Sequence, residues 1–559
     1  MKKTFLLITF LSLTFFALSQ NIISKWNFKS ILADSIETGV NLKDISELDA
    51  MQINEDGSFH YEIKNESLNA HGTWELTNNK LSLHYDSPKT ITREYQITTK
   101  ENTLILNENG INYTFIKNEA PIIMTNSGNT INSIFRGILG IISLLLIAFL
   151  FSRNRTAIDW SLVIKGLVIQ IIFALLILKV SFIQYGFEWL SSVFVTILSF
   201  TREGSLFVFG NLIEDINSFG FIFAFQVLPT ILFFSALTSL LFYYGVLQKI
   251  VYGFALLMKN IMNLSGSESL AAAGNIFLGQ TESPLLIKPY IEKMTMSELL
   301  CLMSGGMATI AGGVLAAYIG FLGGSDPQQQ LFFAKHLLAA SVMSAPAAVI
   351  AAKILLPETE KVNEDMSISK EQIGTNALEA ISIGTTQGLK LAINVGAMLL
   401  VFIAFIAMLN FFLEDFIGDI TGINRFVSSV TNGQYDGLTL EFVLGYTLAP
   451  LTWIMGVCKE DIVLVGQLLG EKTILNEFVA YVSLGELKAS GKFFQEKSII
   501  IATYILCGFA NFSSIGIQIG GIGALAPKRT KDLSKLGILA LIAGTLASLF
   551  TAVIVGMIL

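Results

Sequence analysis

The sequence predicts an all-α polytopic membrane protein with eight spans, two re-entrant hairpins and inverted repeats, preceded by a small antiparallel β domain. Three observations support this fold class: an apolar composition, repeated apolar segments of membrane-spanning length, and two interrupted segments at corresponding places. Of the 559 residues, 52% are hydrophobic and 14% are charged, and the mean hydropathy is +0.62. Soluble domains carry about 25% charged residues, so the composition indicates a membrane protein.

The composition also argues against several other classes. The formal net charge of −7 disfavours nucleic acid as a partner, because binding a phosphate backbone requires a concentrated basic surface. The three cysteines, Cys301, Cys458 and Cys507, are far apart in the sequence. Their spacing predicts neither a disulfide framework nor a zinc site.

Residues 1–19 are predicted to be a secretory signal peptide. Lys2 and Lys3 precede an apolar run, and Ala17 and Ser19 occupy the small-residue positions of a cleavage site. A retained membrane anchor is the alternative reading.

Residues 20–119 are predicted to form an extracytoplasmic β domain. Apolar residues alternate with polar ones, and turn-forming segments that end at Gly57 and Gly110 separate the runs. The segments GTWEL (72–76) and NKLSL (79–83) resemble those of the lipocalin-like domains of secreted bacterial proteins.

A linker at residues 120–133 leads into a membrane domain at residues 134–559. A helix needs about 20 mostly apolar residues to cross the hydrocarbon core. The segments that meet this requirement are 134–151, 160–185, 221–244, 300–322, 331–356, 389–413, 499–521 and 536–559.

The orientation follows from the export of the β domain. The first span then runs inward and places Arg153, Arg155 and Lys165 in the cytoplasm, as the positive-inside rule requires. We therefore expect a multi-pass protein of the bacterial inner membrane whose β domain is extracytoplasmic.

Two apolar stretches are interrupted by polar residues. Residues 270–291 are broken at GQTESP (279–284), and residues 462–484 are broken at GEKT (470–473). Lipid does not tolerate exposed backbone or carboxylates at this depth, so both stretches are predicted to be re-entrant hairpins buried in protein.

The surroundings of the two hairpins match. Each follows a span and an amphipathic or apolar stretch, and each precedes two further spans. The first unit begins outside and the second begins inside, so their topologies are opposed. Interrupted segments at corresponding places in two inverted halves indicate the binding site of a secondary transporter.

The hairpin tips and the spans after them carry the candidate polar residues. The spans are rich in glycine and serine at 305–314 and 508–516, which permits either close helix packing or local unwinding. Amides, hydroxyls and carboxylates of this kind suit a neutral ligand with a heterocyclic edge and vicinal hydroxyls, although sugars and polar amino acids remain alternatives. These candidates are Gln280, Thr281, Glu282, Asn476, Glu477, Asn511, Ser513 and Ser514.

Several longer motifs resemble those of the concentrative nucleoside transporter family, and the resemblance runs from about residue 134 to residue 559. The motifs are GQTESP (279–284), NEFVAY (476–481), CGFANFSSI (507–515), GGIGALAPKR (520–529) and IAGTLAS (542–548). The resemblance implies a homotrimer that moves nucleosides inward by cation-coupled alternating access, and it implies a transporter and not an enzyme.

The resemblance also implies residue roles. Gln280, Thr281, Glu282 and Val314 would hold the nucleobase. The ribose would be held by Glu477, Asn511 and Ser514, with Phe509 against the ligand.

For the cation, the resemblance implies a sodium site. Its ligands would be the side chains of Asn275 and Thr309 and the carbonyls of Leu278, Thr309 and Ile310. An asparagine favours sodium because its neutral amide oxygen cannot carry a proton.

Three alternatives remain at this point. Proton coupling would use Glu282 or Glu477 as the carrier, because carboxylates in membranes often relay protons. A membrane enzyme would use the same two residues as acid and base. A ligand sensor would bind through the β domain, and the membrane part would only report the binding.

Overall fold

The computed structural model describes residues 24–33, 50–53, 57–63, 68–77, 80–87, 89–100, 103–108, 110–117, 130–214, 222–324, 326–362, 364–366, 374–431 and 433–559. The predicted signal peptide lies outside these residues. The chain divides into two compact units, residues 1–122 and residues 123–559.

The first unit is an eight-stranded antiparallel barrel. Each strand pairs with its neighbour in sequence, and the last strand closes the barrel on the first. This confirms the predicted antiparallel β domain. The strands are β1 (Ser24–Ala33), β2 (Ala50–Ile53), β3 (Ser58–Ile63), β4 (Leu68–Thr77), β5 (Lys80–Ser87), β6 (Ile91–Lys100), β7 (Thr103–Glu108) and β8 (Ile111–Lys117).

The barrel interior is filled by large apolar side chains, because alternate residues of each strand point inward. Trp26, Phe59 and Phe115 are among the fully buried ones. Gly72 has a steric reason to be glycine: a Cβ there would lie 1.8 Å from the carbonyl oxygen of His84 on the neighbouring strand.

The second unit is helical. Its helices of eight or more residues are α1 (Thr130–Leu150), α2 (Trp160–Lys179), α3 (Ser181–Phe209), α4 (Leu228–Tyr243), α5 (Val246–Met262), α6 (Gly266–Asn275), α7 (Met296–Ala308), α8 (Gly312–Gly323), α9 (Pro327–Leu355), α10 (Ala377–Phe411), α11 (Ile423–Val430), α12 (Leu440–Ile454), α13 (Ile462–Ile474), α14 (Glu477–Ala489), α15 (Glu496–Leu506), α16 (Phe512–Leu525) and α17 (Thr530–Ile558). Shorter helical turns are Arg155–Ala157, Asn211–Glu214, Phe223–Gln226, Ser283–Leu286, Lys288–Ile291, Phe412–Gly418, Asp419–Thr421 and Pro527–Arg529.

Eight helical stretches of the described chain are long and apolar enough to cross a membrane. They are Ile131–Leu150, Trp160–Lys179, Ser181–Phe209, Phe223–Tyr243, Met296–Gly323, Pro327–Leu355, Ala377–Thr421 and Pro527–Ile558. The number of spans matches the prediction, but the residues that form them differ from the prediction in two places.

The first difference is Ser181–Phe209, which was not among the predicted spans. Glu188 and Arg202 interrupt its apolar run, and Glu188 pairs with Lys335 over 2.9 Å. The predicted span at 160–185 ran past the true end of α2 at Lys179. The second difference is the predicted span at 499–521, which is two shorter helices, α15 and α16.

Both glycine-rich spans are unwound at their centres. The helix α7 ends at Ala308 and α8 begins at Gly312, while α15 ends at Leu506 and α16 begins at Phe512. Of the two options open from the sequence, the chain therefore adopts local unwinding at both spans. We call these gaps the first break (309–311) and the second break (507–511).

The interrupted segments form two hairpins. The first hairpin (266–291) contains α6, an irregular tip and two short helical turns, and the second hairpin (462–489) contains α13 and α14. The predicted interruption at 470–473 is wrong, because these residues are helical. Gly470 allows close packing, since a Cβ there would lie 2.7 Å from Leu444. The chain reverses at Leu475 and Asn476, and the Asn476 side chain accepts a hydrogen bond from the Val479 N–H over 2.9 Å.

Candidate functional site

The two breaks contact each other. Gly508 in the second break has φ +110°, and a Cβ there would lie 2.6 Å from the carbonyl oxygen of Ala308 at the first break. Only glycine combines this backbone conformation with such a close approach. The contact brings together the unwound centres of two helices that belong to opposite halves of the membrane unit.

The tip of the first hairpin packs on α16 of the second half. The Gln280 side-chain amide donates to the Ser514 hydroxyl over 3.3 Å. Thr281 lies against Gly521, where a Cβ would approach the threonine methyl group to 2.7 Å. Within the described residues, the Gln280 amide oxygen is buried and has no hydrogen-bond partner.

The third candidate of the first tip is bonded within its own hairpin. Glu282 is half-buried, and its carboxylate accepts a hydrogen bond from the Gly279 N–H over 2.8 Å. This bond closes the tip on itself and leaves the other carboxylate oxygen for further contacts.

The second hairpin contributes a buried carboxylate beside the second break. Glu477 is 3% exposed and accepts a hydrogen bond of 2.5 Å from the Asn511 amide. The Asn511 oxygen accepts from the Ser514 N–H over 2.9 Å and from the Ser513 hydroxyl over 2.6 Å, so the same side chain caps α16. One residue thus connects the carboxylate to the helix that contacts the first tip.

The apolar candidates flank the breaks. Val314 lies in the first turn of α8, Phe509 lies in the second break, and both are buried. One turn beyond Val314, Tyr318 stacks on Tyr481 of the second hairpin with ring centroids 4.1 Å apart. Aromatic packing therefore joins α8 to the hairpin that carries Glu477.

Two of the predicted sodium ligands, Asn275 and Thr309, meet at Gly305 near the end of α7. Asn275 ends α6, and its amide nitrogen donates to the Leu302 carbonyl over 3.4 Å. Gly305 permits this approach, since a Cβ there would lie 2.4 Å from that nitrogen. The Thr309 hydroxyl donates to the Gly305 carbonyl over 2.9 Å.

The donor set fits a sodium ion. The Asn275 amide oxygen is buried and has no hydrogen-bond partner among the described residues, and an unpaired buried acceptor is costly. The end of α7 also presents carbonyls without helical partners and the negative end of a helix dipole. Hard monovalent cations prefer oxygen ligands of this kind.

Gln518 also belongs to this region, although it was not among the predicted site residues. Its amide donates to the Met303 carbonyl over 2.9 Å, and its amide oxygen is buried without a partner among the described residues. Gly306 makes room for it, since a Cβ there would lie 2.8 Å from the Gln518 nitrogen and 2.9 Å from the Gln280 Cβ. The sequence feature that could have indicated Gln518 is its position one helical turn after Ser514, as a polar amide within a glycine-rich apolar run.

Two hairpins and two broken helices whose polar residues converge inside an apolar helical unit define a membrane transporter. Models of known protein families identify the helical unit more specifically. They match an Na⁺ dependent nucleoside transporter N-terminus at residues 139–212, a nucleoside recognition gate at 224–325 and an Na⁺ dependent nucleoside transporter C-terminus at 336–556. A lipocalin-like domain matches residues 22–106, which confirms the resemblance of the β domain.

The chain belongs to the sodium-dependent nucleoside transporter family, as its motifs predicted. An uncharacterized transporter of Haemophilus influenzae is 40% identical over 429 residues, which cover 76% of this chain and 98% of that protein. Sodium/nucleoside cotransporter 1 of Rattus norvegicus is 39% identical over 434 residues, which cover 75% of this chain and 62% of the rat protein. CNTnw in an inward-facing substrate-bound state is 37% identical with a TM-score of 0.68, covering 76% of this chain and 98% of CNTnw.

Proposed function

We propose that this protein is a symporter of the bacterial inner membrane that couples the inward movement of nucleosides to sodium. The observation that carries the proposal is the convergence of polar residues from both halves, through the Gln280–Ser514 and Glu477–Asn511 hydrogen bonds. A ligand bound between the two hairpins would contact both halves of the transporter at once.

For the nucleobase, the proposed contacts are Gln280, Thr281, Glu282 and Val314. Support comes from the unpaired amide oxygen of Gln280, which can accept an N–H of a base edge. Val314 supplies an apolar surface for the ring.

For the ribose, the proposed contacts are Glu477, Asn511 and Ser514, and Phe509 packs against the ligand. A carboxylate can accept hydrogen bonds from two neighbouring hydroxyls, and Asn511 already orients this one. A site built to bond a hydroxyl rejects analogues that lack it, because its own buried group is then unpaired.

For sodium, the proposed ligands are Asn275, Thr309 and the carbonyls of Leu278, Thr309 and Ile310. The cation would supply the missing partner of the Asn275 oxygen and would tie α6 to the end of α7. Gln280 follows Asn275 in the same hairpin, so binding of sodium would order the nucleobase contacts. Coupling of this kind is reciprocal: nucleoside would also tighten sodium binding.

The energy available is sufficient for scavenging. One positive charge that crosses about 100 mV gains about 2.3 kcal/mol, and a tenfold sodium gradient adds about 1.4 kcal/mol. One ion per nucleoside therefore permits accumulation of roughly 500-fold.

The remaining proposals concern the arrangement in the membrane. Residues 1–19 would export an extracytoplasmic β domain (20–119), and a linker (120–133) would connect it to the transporter domain (134–559), which would form a homotrimer. The exposed apolar side chains along α10, including Leu400, Phe405 and Met408, suit contact with lipid or with neighbouring subunits.

The proposal is tested with purified protein in liposomes. We expect an inward sodium gradient to drive uptake of labelled uridine or adenosine. We expect Glu477→Gln to lower that uptake at least about tenfold, because one buried charged acceptor is lost. Glu486→Gln, an exposed position on the same helix, is the matched control. Uptake driven by a proton gradient in sodium-free buffer would contradict sodium coupling, and unchanged uptake by Glu477→Gln would contradict the ribose assignment.

A further inference from the structure

A buried lysine of the second hairpin makes contacts that nucleoside binding does not explain. Lys472 on α13 is fully buried. Its ammonium donates to the carbonyl of Ile505 over 2.8 Å, to the Ser548 hydroxyl over 3.1 Å and to the carbonyl of Cys507 over 3.5 Å. In the part of the chain that the structure describes, it forms no ion pair with a carboxylate. A buried charge without an ion-pair partner is costly, so its surroundings must stabilise it in another way.

The hydrogen-bond acceptors of this ammonium lie at the end of a broken helix, and the Glu477 carboxylate adds an attractive charge nearby. Ile505 and Cys507 lie at the C-terminal end of α15, where the second break begins. The last carbonyls of a helix lack helical partners, and the end carries about half a negative charge. Ser548 of α17 also donates to the Cys507 carbonyl over 2.7 Å. The ammonium and the hydroxyl together satisfy the oxygens that the break exposes.

The first half contains a related arrangement without the charge. There the first limb of the hairpin also directs a buried polar side chain at the half-helix before the break, because Asn275 donates to the carbonyl of Leu302, six residues before α7 ends at Ala308. That side chain keeps an unpaired oxygen among the described residues. The first break thus offers oxygens that need a cation, whereas the second break receives a cation from its own hairpin.

We propose that Lys472 is a tethered cation that occupies, in the second half, the position equivalent to the coupling sodium of the first half. This inference rests on the sodium site proposed above. The second break therefore needs no ion, and the inference predicts that one sodium ion accompanies each nucleoside. Lys472 is a positioning residue: it ties the hairpin that carries Glu477 to the break that carries Asn511.

The test compares three variants by nucleoside binding and by thermal unfolding, each with and without added propylammonium. Lys472→Ala removes the charge and leaves a space for the amine, whereas Lys472→Met removes the charge and fills that space. Lys497→Ala is the matched control, because this buried lysine of α15 donates to the Ser133 hydroxyl over 3.1 Å and lies far along α15 from the break.

We expect both Lys472 variants to bind uridine at least about tenfold more weakly than wild type, because charged hydrogen bonds to buried carbonyls are lost. Added propylammonium should restore binding and raise the unfolding temperature of Lys472→Ala alone. If Lys472→Ala is too unstable for binding measurements, its unfolding temperature with and without the amine gives the same comparison.

Two results would overturn the inference. One is wild-type affinity in both Lys472 variants, and the other is a folded Lys472→Ala that gains nothing from the amine. The amine comparison is also made in sodium-free buffer by thermal unfolding. Nucleoside binding by the wild type that does not depend on sodium would contradict the proposed function. The amine comparison does not require sodium, so failure of the Lys472 inference and failure of the proposed function can be told apart.

Discussion

The side-chain amide of Gln280 donates to the hydroxyl of Ser514 over 3.3 Å, although the two residues are 234 positions apart in the chain. Gln280 lies at the tip of the first hairpin and Ser514 lies in the first turn of α16. The bond therefore joins the two halves of the membrane unit. Ser514 also donates its N–H to the Asn511 oxygen over 2.9 Å, so the junction and the cap of α16 share one residue.

Ser514→Ala tests this junction. Removing the hydroxyl leaves the buried Gln280 nitrogen without its partner, and we expect about tenfold weaker nucleoside binding. Ser490→Ala is the control, because this exposed hydroxyl bonds only the carbonyls of Glu486 and Leu487 on α14 among the described residues. Isothermal titration with uridine measures both variants. Equal affinities for the two variants would contradict a role for the Gln280–Ser514 bond.

Asn511 has two roles that different substitutions separate. Asn511→Asp keeps an oxygen to cap α16 but places a second carboxylate beside Glu477, so we expect loss of nucleoside binding although the cap is kept. Asn511→Ala also loses the cap, which should cost about 1 kcal/mol of stability. Binding and unfolding temperature are measured on both. The interpretation fails if Asn511→Asp binds like wild type.

Gly508→Ala tests the contact between the two breaks. The new methyl group would lie 2.6 Å from the Ala308 carbonyl oxygen at a residue with φ +110°, so we expect lower thermal stability and loss of uptake. Gly520→Ala is the control, since nothing lies within 4 Å of a Cβ at that position. Fluorescence-detected size-exclusion chromatography with heating measures stability in membranes solubilised in detergent. Wild-type thermal stability and uptake in Gly508→Ala would mean that the close contact between the two breaks is not required.

Asn275→Ala tests the sodium ligands. Removing the unpaired amide oxygen should raise the sodium concentration for half-maximal uptake about tenfold, while uptake in saturating sodium falls less. Thr309→Ser keeps the hydroxyl oxygen and should behave like wild type. Uptake is measured as a function of sodium at constant ionic strength. An unchanged sodium dependence in Asn275→Ala would exclude this residue as a ligand.

Deleting residues 21–119 tests whether the β barrel is needed for transport. We expect sodium-driven uptake to survive, because the membrane unit contains all the proposed site residues and the barrel has its own filled core. Uptake is compared in liposomes that contain equal amounts of inserted protein, because the deletion can change export. Abolished nucleoside binding by correctly inserted protein would favour a sensor that binds through the barrel.

Local patterns predicted much of the architecture. Period-two alternation indicated the barrel strands, and apolar length indicated most of the spans. The polar interruption at 279–284 indicated the first hairpin correctly, because a carboxylate and a proline within an apolar run exclude a plain span. The interruption at 470–473 was misleading because glycine is compatible with both a turn and a closely packed helix, and only the contact with Leu444 distinguishes them.

The sequence alone determined the fold class, the family and the residue types available at the hairpin tips, because these depend on composition, spacing and motif. Only the tertiary structure decided which of those residues meet: the Gln280–Ser514 bond, the Gly508–Ala308 contact, the buried Gln518 and the carbonyls around Lys472. Each of these contacts joins segments that are distant in the chain. Their partners are selected by helix packing and by the need to satisfy buried polar groups, which no local pattern contains.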